Sequence, residues 1–341
     1  MSESSLDNAN IGSKPSIYEE LSHIEPVTRV EVKSEKVSTL GIVTGVWGGI
    51  GDSAIAAKAV EGGVKMALID GVGNDETQVL TPERIHAEIV AKAILEKPIM
   101  SGLSLAEAQL RQINKNGLGP RTVSVSNDPL YCMMAFAEIA QKDGQFFVEP
   151  IAVGDVSILA LVPDAEGKFD SSSLRFLYFK PFADRSQDSI LTPRFHAVRE
   201  NELCAPNPSI FPTGSIIIMA DDGGMDAILN PRILLEAGSS FSRGSLLNSS
   251  YDFERMISEQ NKGKYSMTEL HAQLAQSLNP LMELFNLKGH HGASSALFNS
   301  LISQPKVIND DAALLITEVG GGKVAEFYLE AHRLSCSSNT S

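Results

Sequence analysis

The alternation of apolar and polar positions divides the chain into many short strands and a few longer helices. Apolar runs bounded by Gly, Pro, Asn, Asp or Ser predict strands, and the longest of these runs is interrupted near Gly154. Apolar positions three or four residues apart predict helices instead. The predicted strands span residues 39–46, 53–60, 64–69, 130–139, 145–162, 174–179, 190–198, 215–220, 312–319 and 324–330.

Three helix starts can be recognised from their capping residues. Thr81–Glu83 combines a threonine N-cap, a proline at the first helical position and an acidic first turn, and this helix is predicted to end near Lys97. Ser104–Glu107 and Ser266–Glu269 have the spacing of a capping box. The third start opens a long helix with apolar residues on one face.

The order of these elements predicts an α+β protein with many strands, because the helices fall in two blocks and do not alternate with strands. Residues 1–38 are polar and are predicted to be a flexible tail, and residues 336–341 a frayed end. Without a linker between them, residues 39–335 are predicted to be one domain.

Charge and composition narrow the class of function. The chain has 341 residues, of which 43% are hydrophobic. It contains 28 Lys and Arg and 42 Asp and Glu, which gives a net charge of −14. This surplus of acid argues against nucleic acid and anionic membranes as partners, since both need a basic surface. The N-terminus lacks a secretory signal and the three cysteines form no CxxC pair, so a cytoplasmic location is expected, with non-classical export left open.

A glycine-rich segment, Thr44–Gly51, is one candidate for a binding motif. Its TGxxxGIG pattern is that of the nucleotide-binding turn of short-chain dehydrogenases, with Asp70 placed for the ribose hydroxyls. None of the six tyrosines is followed four residues later by the lysine that this chemistry requires. An NAD(P)-binding protein is therefore the less favoured alternative.

A second pattern consists of aspartates next to glycine or another acid, each beside an apolar strand. A carboxylate at the end of a buried strand is held rigidly, and several that converge can bind a hard cation such as Mg²⁺ or Mn²⁺. The residues in this pattern are Asp70, Asp155, Asp221, Asp222, Asp226, Asp310 and Asp311.

The order of these motifs resembles the metal-dependent protein phosphatases of the 2C type over roughly residues 40–330. The matching segments are Gly51–Ala54, Asp70–Asn74, Gly154–Val156, Pro212–Asp226 and Asp310–Ala313. The resemblance implies a central antiparallel β-sandwich flanked by helices on both sides. Residues 228–308 are longer than is usual in the family and are predicted to be an enlarged helical flap.

The resemblance also implies roles for individual residues. Asp70 would bridge two Mn²⁺ or Mg²⁺ ions with the Gly71 carbonyl as a further ligand, and Asp52 would orient a metal-activated water. The product would be a dephosphorylated Ser or Thr of a phosphoprotein. The remaining ligands would be Asp222 and Asp310 at the first site, and Asp155, Asp222 and Asp226 at a third-metal site.

Departures from the family pattern keep a second function open. Trp47 stands where many members have a phosphate-gripping arginine, and Asn74 replaces a glycine, so both are candidate substrate-binding residues. Ala313 replaces the closing threonine and Asp221 a serine. The alternative is a degenerate relative without activity, which would bind a protein partner through the flap or the N-terminal tail.

Overall fold

The computed structural model describes residues 27–34, 36–45, 51–72, 82–115, 131–179, 207–240, 255, 266–304, 306–308 and 310–320. Two predicted strands, 190–198 and 324–330, lie outside these ranges, as do Trp47 and Asn74.

The described strands form two antiparallel sheets. The strand order is β1-β2-β11-β10-β7-β8 in one sheet and β3-β4-β5-β6-β9 in the other. The six-stranded sheet consists of β1 (Val27–Lys33), β2 (Val37–Thr44), β7 (Ser157–Leu161), β8 (Leu174–Phe179), β10 (Ile216–Ala220) and β11 (Ala312–Val319). The five-stranded sheet consists of β3 (Ala54–Val60), β4 (Gly63–Val72), β5 (Tyr131–Lys142), β6 (Gln145–Val153) and β9 (Ser209–Phe211).

The two sheets stack face to face through a shared apolar core. Val43 and Leu315 from the six-stranded sheet pack in one cluster with Leu68 and Ala137 from the five-stranded sheet. Because side chains alternate along a strand, the intervening residues point away from this core and need a second partner.

Helices cover the outer face of each sheet. Against the five-stranded sheet lie α1 (Pro82–Glu96) and α2 (Ile99–Lys115), and against the six-stranded sheet lie α3 (Asp222–Leu229), α4 (Pro231–Glu236), α5 (Met267–Ser277) and α6 (Asn279–Ser303). The prediction of an α+β fold, a central antiparallel sandwich with helices on both sides, is confirmed. Among the described helices none combines the length and hydropathy needed to cross a membrane.

One part of the chain differs from the predicted domain layout. Residues 27–33 form strand β1 at the edge of a sheet, within the predicted tail. The edge position of this strand leaves all of its residues partly or fully exposed, so polar residues are common in it and the apolar pattern of a strand is weak. The described helices within 228–308 form an outer layer, with Leu281 and Leu284 of α6 fully buried against the sheet, and the enlarged flap stays a prediction.

The predicted strand after Gly51 is confirmed, whereas the predicted start of the second helix is wrong. Gly51 is followed by strand β3, which pairs antiparallel with β4, so the helix that a dinucleotide-binding turn requires is absent at this point of the described chain. The second helix begins at Ile99, before the predicted cap Ser104. The Ser104 hydroxyl donates a hydrogen bond to the Met100 carbonyl oxygen inside the helix (3.0 Å). A serine within a helix can bond to the carbonyl four residues earlier in this way, so its presence does not by itself mark a helix start.

Candidate metal centre

Three aspartates from distant parts of the chain meet at one end of the sandwich. Asp52 precedes β3, Asp70 lies near the end of β4, and Asp311 precedes β11. One carboxylate oxygen from each lies within 4.8 Å of the other two. Asp52 and Asp311 are buried, each with 3% of its surface exposed. We call these three residues the aspartate triad.

Asp311 fixes the segment that carries Asp52. Its Oδ2 accepts hydrogen bonds from the backbone N–H groups of Asp52 (3.2 Å) and Ser53 (2.8 Å). The approach depends on Gly51, which has φ +53°, and a Cβ on that glycine would lie 2.8 Å from Asp311 Oδ2. Gly51, the last residue of the glycine-rich segment, therefore allows close packing against a carboxylate.

Asp70 is held by the same segment. The Ser53 hydroxyl lies 3.1 Å from Asp70 Oδ1, and a Cβ on the neighbouring Gly71 would lie 2.9 Å from the Asp52 carbonyl oxygen. Burial raises the pKa of the Asp70 carboxyl well above its usual value, and neighbouring carboxylates raise it further. Those neighbours are, in order of effect, Asp221, Asp311, Asp222 and Asp52.

A second acidic group extends from the triad along helix α3. Asp221 is fully buried and caps the helix, accepting a hydrogen bond from the Gly224 N–H (2.6 Å). Asp222 and Asp226 are four residues apart on α3 and so share one face. Burial, followed by the nearby Asp155 carboxylate, raises the pKa of Asp222 to about 6.

Asp155 reaches this group from the turn between β6 and β7. Gly154 has φ +88°, and its carbonyl oxygen accepts a hydrogen bond from the buried Tyr178 hydroxyl (2.8 Å). The Asp155 N–H donates to the Met133 sulfur (3.1 Å). The turn is thus held on both sides, which places the Asp155 carboxylate within electrostatic reach of Asp222.

The arrangement suits a divalent cation of the hard type. All its candidate donors are carboxylate or carbonyl oxygens, the ligands that Mg²⁺, Mn²⁺ and Ca²⁺ prefer. Buried carboxylates that raise one another's pKa repel one another when ionised, and a bound cation would offset that repulsion. The aspartate triad could therefore hold a metal ion.

The structure brings together most of the residues singled out from the sequence. Asp52 and Asp70 belong to the triad, and Asp155, Asp222 and Asp226 form the adjacent group. Their catalytic and metal-binding roles, the role of Gly71 as a ligand, and the substrate-binding roles of Trp47 and Asn74 stay predictions.

Sequence reasoning chose Asp310, whereas the triad contains Asp311. Asp310 instead accepts the Asp311 N–H through its Oδ1 (2.9 Å). Along β11, Ala313 and Leu315 face the other sheet while Ala312 and Leu314 face the helices. Extending this alternation backwards puts residue 311 on the side of the sandwich interior. Counting faces from the strand could have identified it.

Comparisons with family models and with curated proteins find no match. Solved structures do match, and the chain is similar to RsbX in complex with magnesium, with 12% identity, 86% of this chain and 100% of that chain covered and a TM-score of 0.43. It is similar to the SiaA-PP2C domain of Pseudomonas aeruginosa (12% identity, 82% and 85% covered, TM-score 0.42). It is also similar to the Mycobacterium tuberculosis serine/threonine phosphatase PstP/Ppp (10% identity, 83% and 99% covered, TM-score 0.44). Phosphatases of the 2C type, which the sequence motifs resemble, are thus among the matched structures. Because the sequence identities are low, these matches concern the fold alone.

Proposed function

We propose that this chain is a metal-dependent phosphatase that hydrolyses phosphoserine and phosphothreonine, or a related phosphomonoester. The observation that carries the proposal is the aspartate triad, whose oxygens from three separate segments lie within 4.8 Å of one another. Carboxylates are costly to bury together without a compensating positive charge. Their convergence therefore favours a site built for cations.

The chain's own residues have separable tasks in this proposal. Asp52, Asp70 and Asp311 would hold Mn²⁺ or Mg²⁺, together with the Gly71 carbonyl and Asp310 as predicted ligands. Asp222, Asp155 and Asp226 would hold a further ion. Such ions, when bound, lower the pKa of a coordinated water and neutralise phosphoryl oxygens.

The protein supplies rigidity around these ligands. The backbone N–H groups of Asp52 and Ser53 donate hydrogen bonds to Asp311, so the loop that carries Asp52 has little conformational freedom. Preorganised ligands lower the cost of assembling a charged site. A phosphoprotein substrate, and a protein partner bound through residues 228–308 or the N-terminal segment, belong to the same proposal.

The test is metal-dependent turnover of p-nitrophenyl phosphate and of a phosphopeptide. Asp70→Asn and Asp222→Asn should each reduce Mn²⁺-dependent turnover by at least about 100-fold, because each removes a charged ligand. Asp164→Asn is the control: its Oδ1 accepts backbone N–H groups of Glu166 (2.9 Å) and Lys168 (2.8 Å) in an exposed turn that is separate from the acidic groups.

The outcome also separates the two candidate functions. A purified wild-type protein that binds Mn²⁺ but turns over neither substrate would contradict the enzyme and favour the alternative binding module. Turnover that is unaffected by chelation would contradict the metal requirement itself.

A further inference from the structure

One buried hydroxyl joins the two acidic groups. The Ser53 Oγ lies 3.1 Å from Asp70 Oδ1 and 2.9 Å from Asp221 Oδ2, and both Ser53 and Asp221 are fully buried. Asp70 belongs to the aspartate triad, whereas Asp221 immediately precedes Asp222 on α3. Ser53 thus contacts both a triad residue and the residue that caps the helix carrying the second group.

Asp221 is itself a structural anchor. Besides capping α3 through the Gly224 N–H, it accepts the backbone N–H of Ala313 at both carboxylate oxygens (2.9 Å each). It therefore fixes the start of α3 and the start of β11 against each other. A change in the hydrogen bond at its Oδ2 should therefore affect the position of the segment that bears Asp222 and of the strand that follows Asp311.

A serine hydroxyl has one hydrogen and can donate to one carboxylate at a time. The contacts to Asp70 and Asp221 therefore compete for the same donor. A cation that coordinates Asp70 takes up part of its negative charge and makes it a weaker hydrogen-bond acceptor. The hydroxyl then favours Asp221, which strengthens the anchor of α3.

We propose that Ser53 is a positioning residue: it holds the Asp70 carboxylate in place for a divalent cation and couples cation binding at the triad to the position of Asp222 and Asp226. The inference rests on the proposed metal site. It concerns cation affinity, not the chemical step, so it can stand even when no phosphatase activity is found.

The experiment measures Mn²⁺ affinity by isothermal titration calorimetry on metal-free wild-type protein and on Ser53→Ala. We expect Ser53→Ala to weaken Mn²⁺ binding by about 10-fold, because Asp70 is no longer oriented before the cation binds and the hydrogen bond to the charged Asp221, which strengthens in the bound state, is lost. Ser53→Thr, which keeps the hydroxyl, should restore most of the affinity. Ser294→Ala is the matched control, because Ser294 is fully buried in α6 and its Oγ has no hydrogen-bond partner among the described residues.

A double-mutant cycle separates coupling from a local packing loss. If Ser53 links the two groups, its substitution should matter less when Asp222 is already Asn, so the 10-fold effect should shrink to about 2-fold in the Asp222→Asn background. An equal effect in both backgrounds overturns the coupling. Urea unfolding of each variant in EDTA verifies that the titrated protein is folded.

The remaining outcomes also decide the matter. Mn²⁺ affinity within 2-fold of wild type in Ser53→Ala overturns the positioning role, and wild-type protein that binds no Mn²⁺ overturns both this inference and the proposed function. Normal Mn²⁺ behaviour without turnover overturns the phosphatase alone.

Discussion

Replacing Gly51 with alanine tests how closely the backbone must approach Asp311. Gly51 has φ +53°, a region that alanine rarely adopts, and a Cβ there would lie 2.8 Å from both the Cβ and the Oδ2 of Asp311 and 3.0 Å from the Cα of Gly45. Asp311 cannot retreat freely, because its Oδ2 accepts two backbone hydrogen bonds. The substitution therefore strains the backbone and displaces a residue of the triad.

The expected cost has two parts. The left-handed conformation costs alanine about 1 kcal/mol or slightly more, and forcing a methyl group into a filled site costs about 1–3 kcal/mol. We expect Gly51→Ala to lower the free energy of unfolding by about 2–4 kcal/mol in EDTA, on the basis of these two contributions. The displaced Asp311 should also weaken Mn²⁺ binding.

Gly144→Ala provides a matched control. Gly144 has φ +81° in the turn between β5 and β6, and nothing lies within 4 Å of the position its Cβ would take. This variant has the conformational cost without the steric one, so it should lose about 1 kcal/mol. Urea unfolding in EDTA, followed by Mn²⁺ titration, measures both quantities for each variant.

The difference between the two variants isolates the contact with Asp311. Equal losses of stability, together with Mn²⁺ affinity in Gly51→Ala equal to that of wild type, would refute both the close packing of Gly51 on Asp311 and the role of Asp311 in cation binding. A loss of stability with unchanged Mn²⁺ affinity would show that Asp311 packs there without taking part in cation binding.

Three further predictions concern pH and packing. The pKa of Asp222 is about 6 in the folded protein and near 3.8 when unfolded, so the metal-free protein should lose roughly 2 kcal/mol of stability from this group as pH rises from 4 to 6. Asp222→Asn should reduce that slope in urea titrations. Burial lowers the pKa of His86 from 6.5 to about 4, so its contribution to stability has the opposite sign. The free energy of unfolding should fall as pH drops below 6.5, by roughly 2 kcal/mol at pH 5. His86→Leu should remove that loss. The Asn286 side chain accepts the Phe169 N–H (2.9 Å) and donates to its carbonyl oxygen (2.8 Å), so Asn286→Ala should cost about 1–2 kcal/mol in urea unfolding. Asn286→Asp should cost at least as much, because it puts a carboxylate oxygen against that carbonyl, and a smaller loss would contradict this pairing.

The strands and the first long helix could be predicted because their signals are local. Helix α1 begins at Pro82, next to its predicted cap, and β8 spans the predicted residues Leu174–Phe179. Strand β1 could not be found in this way, because an edge strand buries too little to impose an apolar pattern. Its identity depends on pairing with β2, which is a contact between segments.

The candidate site was predictable as a set of segments but not as a set of atoms. Sequence patterns identified the acidic pairs Asp221–Asp222 and Asp310–Asp311, yet which member of a pair faces the triad depends on strand register and helix phase. Asp221 became a buried cap and Asp311 a triad residue, while Asp222 and Asp310 took the other positions. Residue propensity does not distinguish two adjacent aspartates; only the alternation along β11, once the strand is placed, favours Asp311 over Asp310.

The alternation along β11 has a consequence for how the chain tolerates insertions and deletions. The pairing of Ala313 with Val43 and of Leu314 with Ala220 fixes the strand between two neighbours. Removing one residue just before Ala312 would leave that pairing intact but would bring Asp310 to the position of Asp311. Removing two would delete both aspartates and leave the position of Asp311 without a carboxylate. Insertions and deletions should therefore be tolerated better upstream of this short segment, in the outer helical layer of residues 228–308. There, a change in length does not alter which aspartate faces the triad.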